Sequence, residues 1–300
     1  MKVLITGGSG NIGFYVVNRL RRKYEIAILD VKPSLYSPDV PFLKVNLLNS
    51  EKVKEVVKGF DTVVHLAAIP NPFNDPDERV LSVNVISTYN LMEAVKENGI
   101  RRVVYGCSES ASGFGIHNVR YRPAYIPIDE EHPSWPHESY SLSKYFGEII
   151  CKEYSRAYGI ECISLRYPWV WLDTCRDAIE KILSQKDKEI DEKDWFGTYI
   201  FPEDVAQGIE LSLDFEIKDR DFPFEVFYLT AEDNFYDMDS LELISKLFPN
   251  NPPYIKKSEY FSRNSRASLF DISKAKEKLG YNPEFTWRDF DSPKRIRPGG

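Results

Sequence analysis

Through the first 170 residues, short apolar runs alternate with stretches whose apolar residues recur at helical spacing. KVLIT, EIAILD, FLKVNL, TVVHLAA, RRVVYGCS and ECISLRY are strand-length, rich in β-branched residues and nearly continuous in apolar character, as buried parallel strands are. IGFYVVNRLRRK, SEKVKEVVKG, DERVLSVNVISTYNLMEAVKEN and YSLSKYFGEIICKEYSRAYG read as helices. This alternation predicts an α/β chain with a parallel sheet covered by helices on both faces. Right-handed crossovers then bring the ligand-binding loops to the carboxyl ends of the strands. The second half is less regular. Residues 172–197 are charged and helical in pattern, with no strand expected. PEDVAQGIELSLD reads as a helix and FEVFYLTA as a strand returning to the sheet. DMDSLELISKLF and ISKAKEKLG predict a small helical lobe at the C-terminal end.

Three hundred residues allow one large domain or two unequal lobes with a sizeable core. A net charge of -7 argues against a nucleic-acid surface, which needs a concentrated positive field. The one basic cluster, Lys294, Arg295 and Arg297, sits in a Pro- and Gly-containing tail and reads as a solvated terminus. The chain opens on a strand rather than a charged and apolar leader. No apolar run approaches the ~20 residues that span a bilayer, so no membrane partner is expected. Cys107, Cys151, Cys162 and Cys175 form no CxxC pair and have no companion histidine spacing. They read as reduced thiols of a cytoplasmic protein, with no metal site.

TGGSGNIG at 6–13 joins the first strand to the first helix. Gly8, Gly10 and Gly13 fit GxGxxG, while Gly7, Gly10 and Gly13 fit GxxGxxG. Glycines there permit a tight turn, a close approach of backbone to a pyrophosphate, and helix–strand packing. The helix start adds free N–H groups and a positive dipole for phosphate. Asp30 ends the second strand, twenty residues after Gly10. A carboxylate there accepts from the ribose hydroxyls of an adenosine and repels a 2′-phosphate, favouring NAD over NADP. Lys32 nearby keeps NADP as the lesser alternative.

SYSLSKYFGE carries Tyr140 and Lys144 four residues apart on a predicted helix, hence on one face. A phenol titrates near ~10, too high for a base at neutral pH. A neighbouring ammonium and a positive nicotinamide ring stabilise the phenolate and make Tyr140 a general base. Ser108 ends another strand at the same sheet edge, where its hydroxyl orients a substrate oxygen.

With these residues in view, the chain resembles the extended short-chain dehydrogenases/reductases, specifically the NAD-dependent epimerase/dehydratase family. The resemblance rests on TGGSGNIG, Asp30, VVHLAA at 63–68, NVISTYNLMEA at 84–94, CSESASG at 107–113, PHESYSLSK at 136–144 and DVA at 204–206, in the right order over residues 1–210. It implies a Rossmann doubly wound parallel sheet with a small C-terminal substrate-binding lobe. The Rossmann domain would be 1–168 with 198–231 returning to it, and the lobe 169–197 with 232–300. The implied catalytic set is Ser108, Tyr140 and Lys144. The implied cofactor contacts are Gly7, Gly10, Asn11, Ile12, Gly13, Asp30, Asn46, Leu47, Leu66, Ala67, Ala68, Asn84, Tyr140, Lys144, Tyr167 and Pro168. Ser108, Glu109, Ser110 and Trp169 would meet the substrate, a sugar. A homodimer through the helices near 80–98 and 139–158 is implied by the same resemblance.

Two departures bear on the reaction. CSESASG has Glu109 and then Ser110 where dehydratases of the family carry two adjacent acids, so dehydration is disfavoured; Glu109 faces the reaction, faces solvent or caps the following helix. RYPWVW at 166–171 replaces the RYFNVYG usual in nucleotide-sugar epimerases, so Trp169 stands where an asparagine helps to hold the diphosphate-linked sugar. An indole offers one donor and no acceptor, but its face stacks well on a sugar ring. The alternative for either Trp is that it seals the junction between lobes. The expected activity is NAD-dependent oxidation of a sugar or sugar-acid hydroxyl. The alternatives are a nucleotide-sugar 4-epimerase and a non-catalytic NAD(H) sensor.

Overall fold

The computed structural model describes residues 1–73, 75–115, 121–185, 190 and 196–298. In chain order the elements are β1 (Lys2–Thr6), α1 (Asn11–Leu20), β2 (Glu25–Asp30), β3 (Phe42–Lys44), α2 (Ser50–Val56), β4 (Thr62–His65), α3 (Asp77–Glu97), β5 (Arg102–Gly106), β6 (Tyr125–Ile126), α4 (Ser139–Tyr158), β7 (Glu161–Arg166), α5 (Arg176–Gln185), α6 (Pro202–Asp214), β8 (Phe224–Tyr228), α7 (Ser240–Leu247), β9 (Tyr254–Ile255), α8 (Ser258–Arg263) and α9 (Ser273–Leu279).

Seven parallel strands form the main sheet in the order β3-β2-β1-β4-β5-β7-β8. The order reverses between β1 and β4, and a doubly wound sheet opens its ligand crevice at that switch point. Alternation along β1 shows how the layers arise. Val3 and Ile5 pack with α1 and α6 on one face, whereas Leu4 packs with α2, α3 and α4 on the other. The sheet's interior strands are therefore apolar on both sides, which is why their sequences read as continuous rather than alternating.

Most elements match the sequence expectation, with four differences. FLKVNL pairs only over Phe42–Lys44, because Asn46 leaves the ladder to accept from the Leu48 amide at 3.0 Å. A two-stranded sheet joins β6, before α4, to β9 in the second half, too short to announce itself in sequence. Residues 169–171 continue β7 as extended chain: Val170 bridges Ile200, and the Trp171 amide donates to Ile200 O at 2.8 Å. Of residues 172–197, 186–189 and 191–195 lie outside the described residues.

The fourth difference is in the basic tail: Lys294 is exposed as expected, but Arg297 is half-buried and Arg295 is buried. The Arg295 side chain is fully buried, between the rings of Phe201 and Phe290. Its Nε stands 3.3 Å from Glu203 Oε1, and its Nη1 donates to Phe290 O at 3.0 Å. Burying a guanidinium is tolerable only with such partners. No helix among the described residues is long and apolar enough to cross a membrane.

Candidate active site

The carboxyl edge of the sheet gathers the loops after β1, β2, β4, β5 and β7. Gly7 follows β1 with φ 72°, and a Cβ there would lie 2.6 Å from the Ala67 amide nitrogen. At Gly13 a Cβ would lie 2.6 Å from Gly7 O. The turn is thus closed so tightly against β4 and α1 that side chains are excluded. Gly10 caps α1 without a side-chain acceptor, and the first helical turn, including Asn11 and Ile12, carries no acid. Its N–H groups therefore face outward with the positive end of the dipole behind them, which suits a phosphate. Asp30, half-buried at the end of β2, accepts from Ser9 N at 3.2 Å and Val31 N at 2.7 Å. Two oxygens held by single N–H bonds retain acceptor capacity for ribose hydroxyls. The residues present fit a dinucleotide.

Leu66, Ala67 and Ala68 leave β4 half-buried beside this turn. A chain of hydrogen bonds sets their path. Ala67 N donates to Thr6 Oγ1 at 3.4 Å, Thr6 Oγ1 meets His65 Nδ1 at 2.7 Å, and His65 Nε2 meets Thr88 Oγ1 at 3.1 Å. Burial and the Lys144 charge push His65 down to about 3, so the imidazole is neutral. Thr88 donates onward to Asn84 O at 2.9 Å, which assigns the His65 proton to Nε2.

Three cofactor-side expectations are placed differently from one another. Asn84 is buried, and its amide is committed: Oδ1 accepts from Ile69 N at 2.7 Å, while Nδ2 donates to Ile69 O and Ser143 Oγ. It orders the loop after β4 and ties α3 to α4. Asn46 is exposed and Leu47 buried, with Leu47 O accepting from Asn90 at 2.9 Å. Tyr167 and Pro168 are buried where β7 ends, and Tyr167 O accepts from Glu109 N at 3.2 Å.

Ser108, Tyr140 and Lys144 come together. Glu138 fixes the start of α4 by accepting from Tyr140 N at 2.6 Å and Ser141 N at 2.5 Å, which sets Tyr140 on the sheet side. One turn on, Lys144 Nζ donates to Gly106 O at 2.8 Å and lies 5.8 Å from the centre of the Tyr140 ring. Burial lowers the Lys144 ammonium to about 8. Burial raises the Tyr140 phenol well above its ordinary value, with Tyr167, Glu109 and Cys107 adding to the rise, while the Ser108 hydroxyl favours the ionised form.

Ser108 opens a single 3-10 turn, Glu109–Ser112, and its Oγ accepts from Ser110 N at 3.2 Å. Glu109 neither faces solvent nor caps a helix by its side chain. It is 4% exposed, and Ser108 donates to its Oε2 at 3.1 Å. Sequence reasoning missed what holds this turn. Ser112 Oγ donates to Glu109 O at 2.5 Å and accepts from Tyr228 Oη at 2.7 Å, and Tyr228 is met by Arg166 at 3.3 Å. Arg166 is locked by Glu148 through bonds of 2.5 Å and 3.0 Å. The only sequence sign was a buried-looking Arg at the end of ECISLR and a Glu on the inner face of the neighbouring helix.

The two indoles of RYPWVW divide. Trp171 is fully buried among Tyr199, Phe201, Phe235 and Phe290. Trp169 is half-buried and meets Trp171 edge-on, ring centres 5.9 Å apart. Trp171 is packing; Trp169 is the one that stays partly exposed.

A doubly wound sheet with a side-chain-free phosphate turn, a strand-end acid and a Tyr–Lys pair on one helix beside a strand-end Ser defines an extended short-chain dehydrogenase/reductase. Residues 3–178 match the NAD dependent epimerase/dehydratase family, and the chain belongs to it. Similar curated proteins include a putative UDP-glucose 4-epimerase of Methanocaldococcus jannaschii, 33% identical over 56% of this chain and 56% of that protein. Another is an L-arabinose 1-dehydrogenase (NAD(P)(+)) of Haloferax volcanii, 27% identical over 78% of this chain and 90% of the relative. The match to the first thus spans little more than half of that protein's length. Among solved structures, a short-chain dehydrogenase/reductase superfamily protein of Agrobacterium tumefaciens with bound NAD superimposes with a TM-score of 0.71 at 20% identity, over 97% of this chain and 94% of the other.

Proposed function

We propose that the chain is an NAD-dependent oxidoreductase acting on a hydroxyl of a sugar or sugar acid. The phosphate turn Gly7–Gly13 and the α1 start would hold the pyrophosphate. Asp30 would hold the adenosine ribose, with Asn46 and Leu47 near the adenine. Leu66, Ala67, Ala68, Tyr167 and Pro168 would line the rest, with Asn84 ordering the loop after β4. When bound, NAD supplies a positive ring and an acceptor for the hydride. Ser108 and the neighbouring Ser110 and Glu109 receive the substrate oxygen. Tyr140 Oη takes its proton, and in the reverse direction returns it. Lys144 sits where its ammonium stabilises the phenolate and is itself kept in place by Gly106 O. Trp169 supplies an apolar wall for the sugar ring. Residues 1–168 with 198–231 form the cofactor domain in this reading, and 169–197 with 232–300 the substrate lobe.

The observation that favours a free sugar over a nucleotide sugar is the commitment of the arginine that opens RYPWVW and of the next one along the chain. Arg166 is buried against Glu148, and Arg176 is engaged by Asp173, Glu180 and Asp291. A diphosphate needs unpaired charge, and neither arginine among the described residues offers it. Incubation with NAD and a panel of free sugars, uronates and UDP-sugars tests this by NADH absorbance. Net NADH from a free sugar or sugar acid is expected; silent conversion of a UDP-sugar would replace the reading with the 4-epimerase.

The assembly in this reading is a cytoplasmic homodimer. Ile86 and Tyr89 on α3 and Phe146 and Tyr158 on α4 are 41–55% exposed, an apolar stripe on two helices already packed together. Light scattering is expected to give twice the chain mass, and Ile86→Glu with Phe146→Glu to halve it. A monomer in the unaltered protein would remove the dimer.

A further inference from the structure

Among the groups that receive the substrate oxygen is one buried carboxyl whose protonation state decides what its neighbour can donate. Glu109 is 4% exposed, directly follows Ser108, and takes the Ser108 hydroxyl proton in a 3.1 Å hydrogen bond to Oε2. A serine hydroxyl has one proton to give. Its oxygen already accepts from Ser110 N at 3.2 Å, with Ser110 Oγ a further neighbour at 3.1 Å. While the proton points at Glu109, Ser108 has none for a substrate oxygen or for the Tyr140 phenolate. A protonated Glu109 reverses the polarity, because its carboxylic O–H then donates to Ser108 Oγ and releases the serine proton toward the site.

We propose that Glu109 is a positioning residue acting through Ser108: in its acid form it keeps Ser108 a hydrogen-bond donor toward the substrate oxygen, and on ionising it withdraws that donor. The inference rests on the hydroxyl-oxidation reading above. Ionisation sends one proton from the carboxyl to solvent and turns one hydrogen bond around; no bond to carbon is made or broken. Burial raises the carboxyl to about 8, opposed among the described residues by its own backbone N–H and the Ser108 hydroxyl, so the acid form prevails at neutral pH. Among the described residues, the titratable groups that face it are Tyr140 from α4 and Tyr167 from the end of β7, whose phenols its negative charge pushes up. Cys107, at the end of β5, bears on both phenols and is a thiol that burial keeps protonated. Ionised Glu109 therefore opposes the Tyr140 phenolate by charge as well as through Ser108.

Glu109→Gln presents an N–H donor to Ser108 at every pH and cannot ionise. The ratio of oxidation rate at about pH 9.5 to that at about pH 7 is expected to rise about tenfold or more over the unaltered protein, the size of a single lost ionisation. A second readout needs no substrate. Ultraviolet difference titration of the NAD-loaded protein against Tyr140→Phe reads the Tyr140 phenolate, and Glu109→Gln is expected to lower its midpoint by about one pH unit. Should the glutamine variant not fold, Glu109→Met, which also cannot ionise, is expected to give the same two shifts. An unchanged phenolate midpoint overturns the inference, as does an unchanged alkaline fall in rate. If no sugar is oxidised by the unaltered protein, it is the hydroxyl-oxidation reading that fails, and the phenolate titration still decides the role of Glu109.

Discussion

Tyr140→Phe is expected to lower turnover by about 10²–10⁴-fold while NAD affinity stays within a few-fold, since acid–base groups contribute on that scale. In free-energy terms this is about 3–5 kcal/mol of transition-state stabilisation. The substitution removes one oxygen and little else. Tyr140 is 7% exposed, its backbone stays capped by Glu138, and the Ser108–Glu109 bond does not pass through the phenol. Steady-state rates with the substrate identified by the sugar panel, beside calorimetric titration of NAD, separate the two quantities. Retained turnover would show that the proton leaves by another group, and joint loss of turnover and NAD binding would show a packing role instead. A non-catalytic sensor would keep its biological effect in this variant.

Glu148→Ala is expected to cost about 3–5 kcal/mol of stability, because removing one partner of a buried ion pair strands the other charge. Glu148 on α4 and Arg166 on β7 each have side chains 5% exposed. Glu148 Oε2 also accepts from Ser164 Oγ at 2.7 Å, so three donor atoms, Arg166 Nε and Nη2 and Ser164 Oγ, lose their acceptor. The carboxyl is held below its ordinary range by the Arg166 charge and hydrogen bonds despite its burial. A depressed folded value means the stabilisation is present above the unfolded carboxyl range and lost as pH falls through the folded one. Because Arg166 also supports Tyr228, Ser112 and the Glu109 backbone, the turn bearing Ser108 should loosen with the fold. Urea denaturation measures the loss. A double change of Glu148 and Arg166 to methionine is expected to recover most of it, since well-packed apolar pairs often match buried ion pairs. A loss below about 1 kcal/mol in Glu148→Ala would mean that Arg166 reaches water.

How much was legible follows from how local each signal is. The glycine turn, Asp30 and the Tyr140–Lys144 pair are contiguous or helically spaced, so their geometry is a property of a few neighbouring residues. The strands of the main sheet were legible because both of their faces are buried and the code for that is a plain apolar run. β6 and β9 escaped because two residues carry no period. Ser112 joins the site through Tyr228, whose hydroxyl reaches it from 116 residues away, beyond any local signal. The tail read as solvated because a basic, Pro- and Gly-containing terminus usually is; Arg295 is buried only because Phe201, Phe290 and Glu203 converge on it.

RYPWVW shows the division most clearly. The sequence by itself determined that two indoles, one residue apart, follow the strand ECISLRY; that residues 169–171 run on as extended chain was not legible in it. It also determined the phosphate turn, the strand-end acid and the Tyr–Lys pair, each through local geometry. Only the tertiary structure decided that Trp171 is enclosed by Tyr199, Phe201, Phe235 and Phe290 while Trp169 stays half-buried. It likewise decided that Glu109 is buried against Ser108 rather than solvated. Burial is set by which distant segments arrive at a position, and neither an indole nor a carboxyl carries that information in its own neighbourhood.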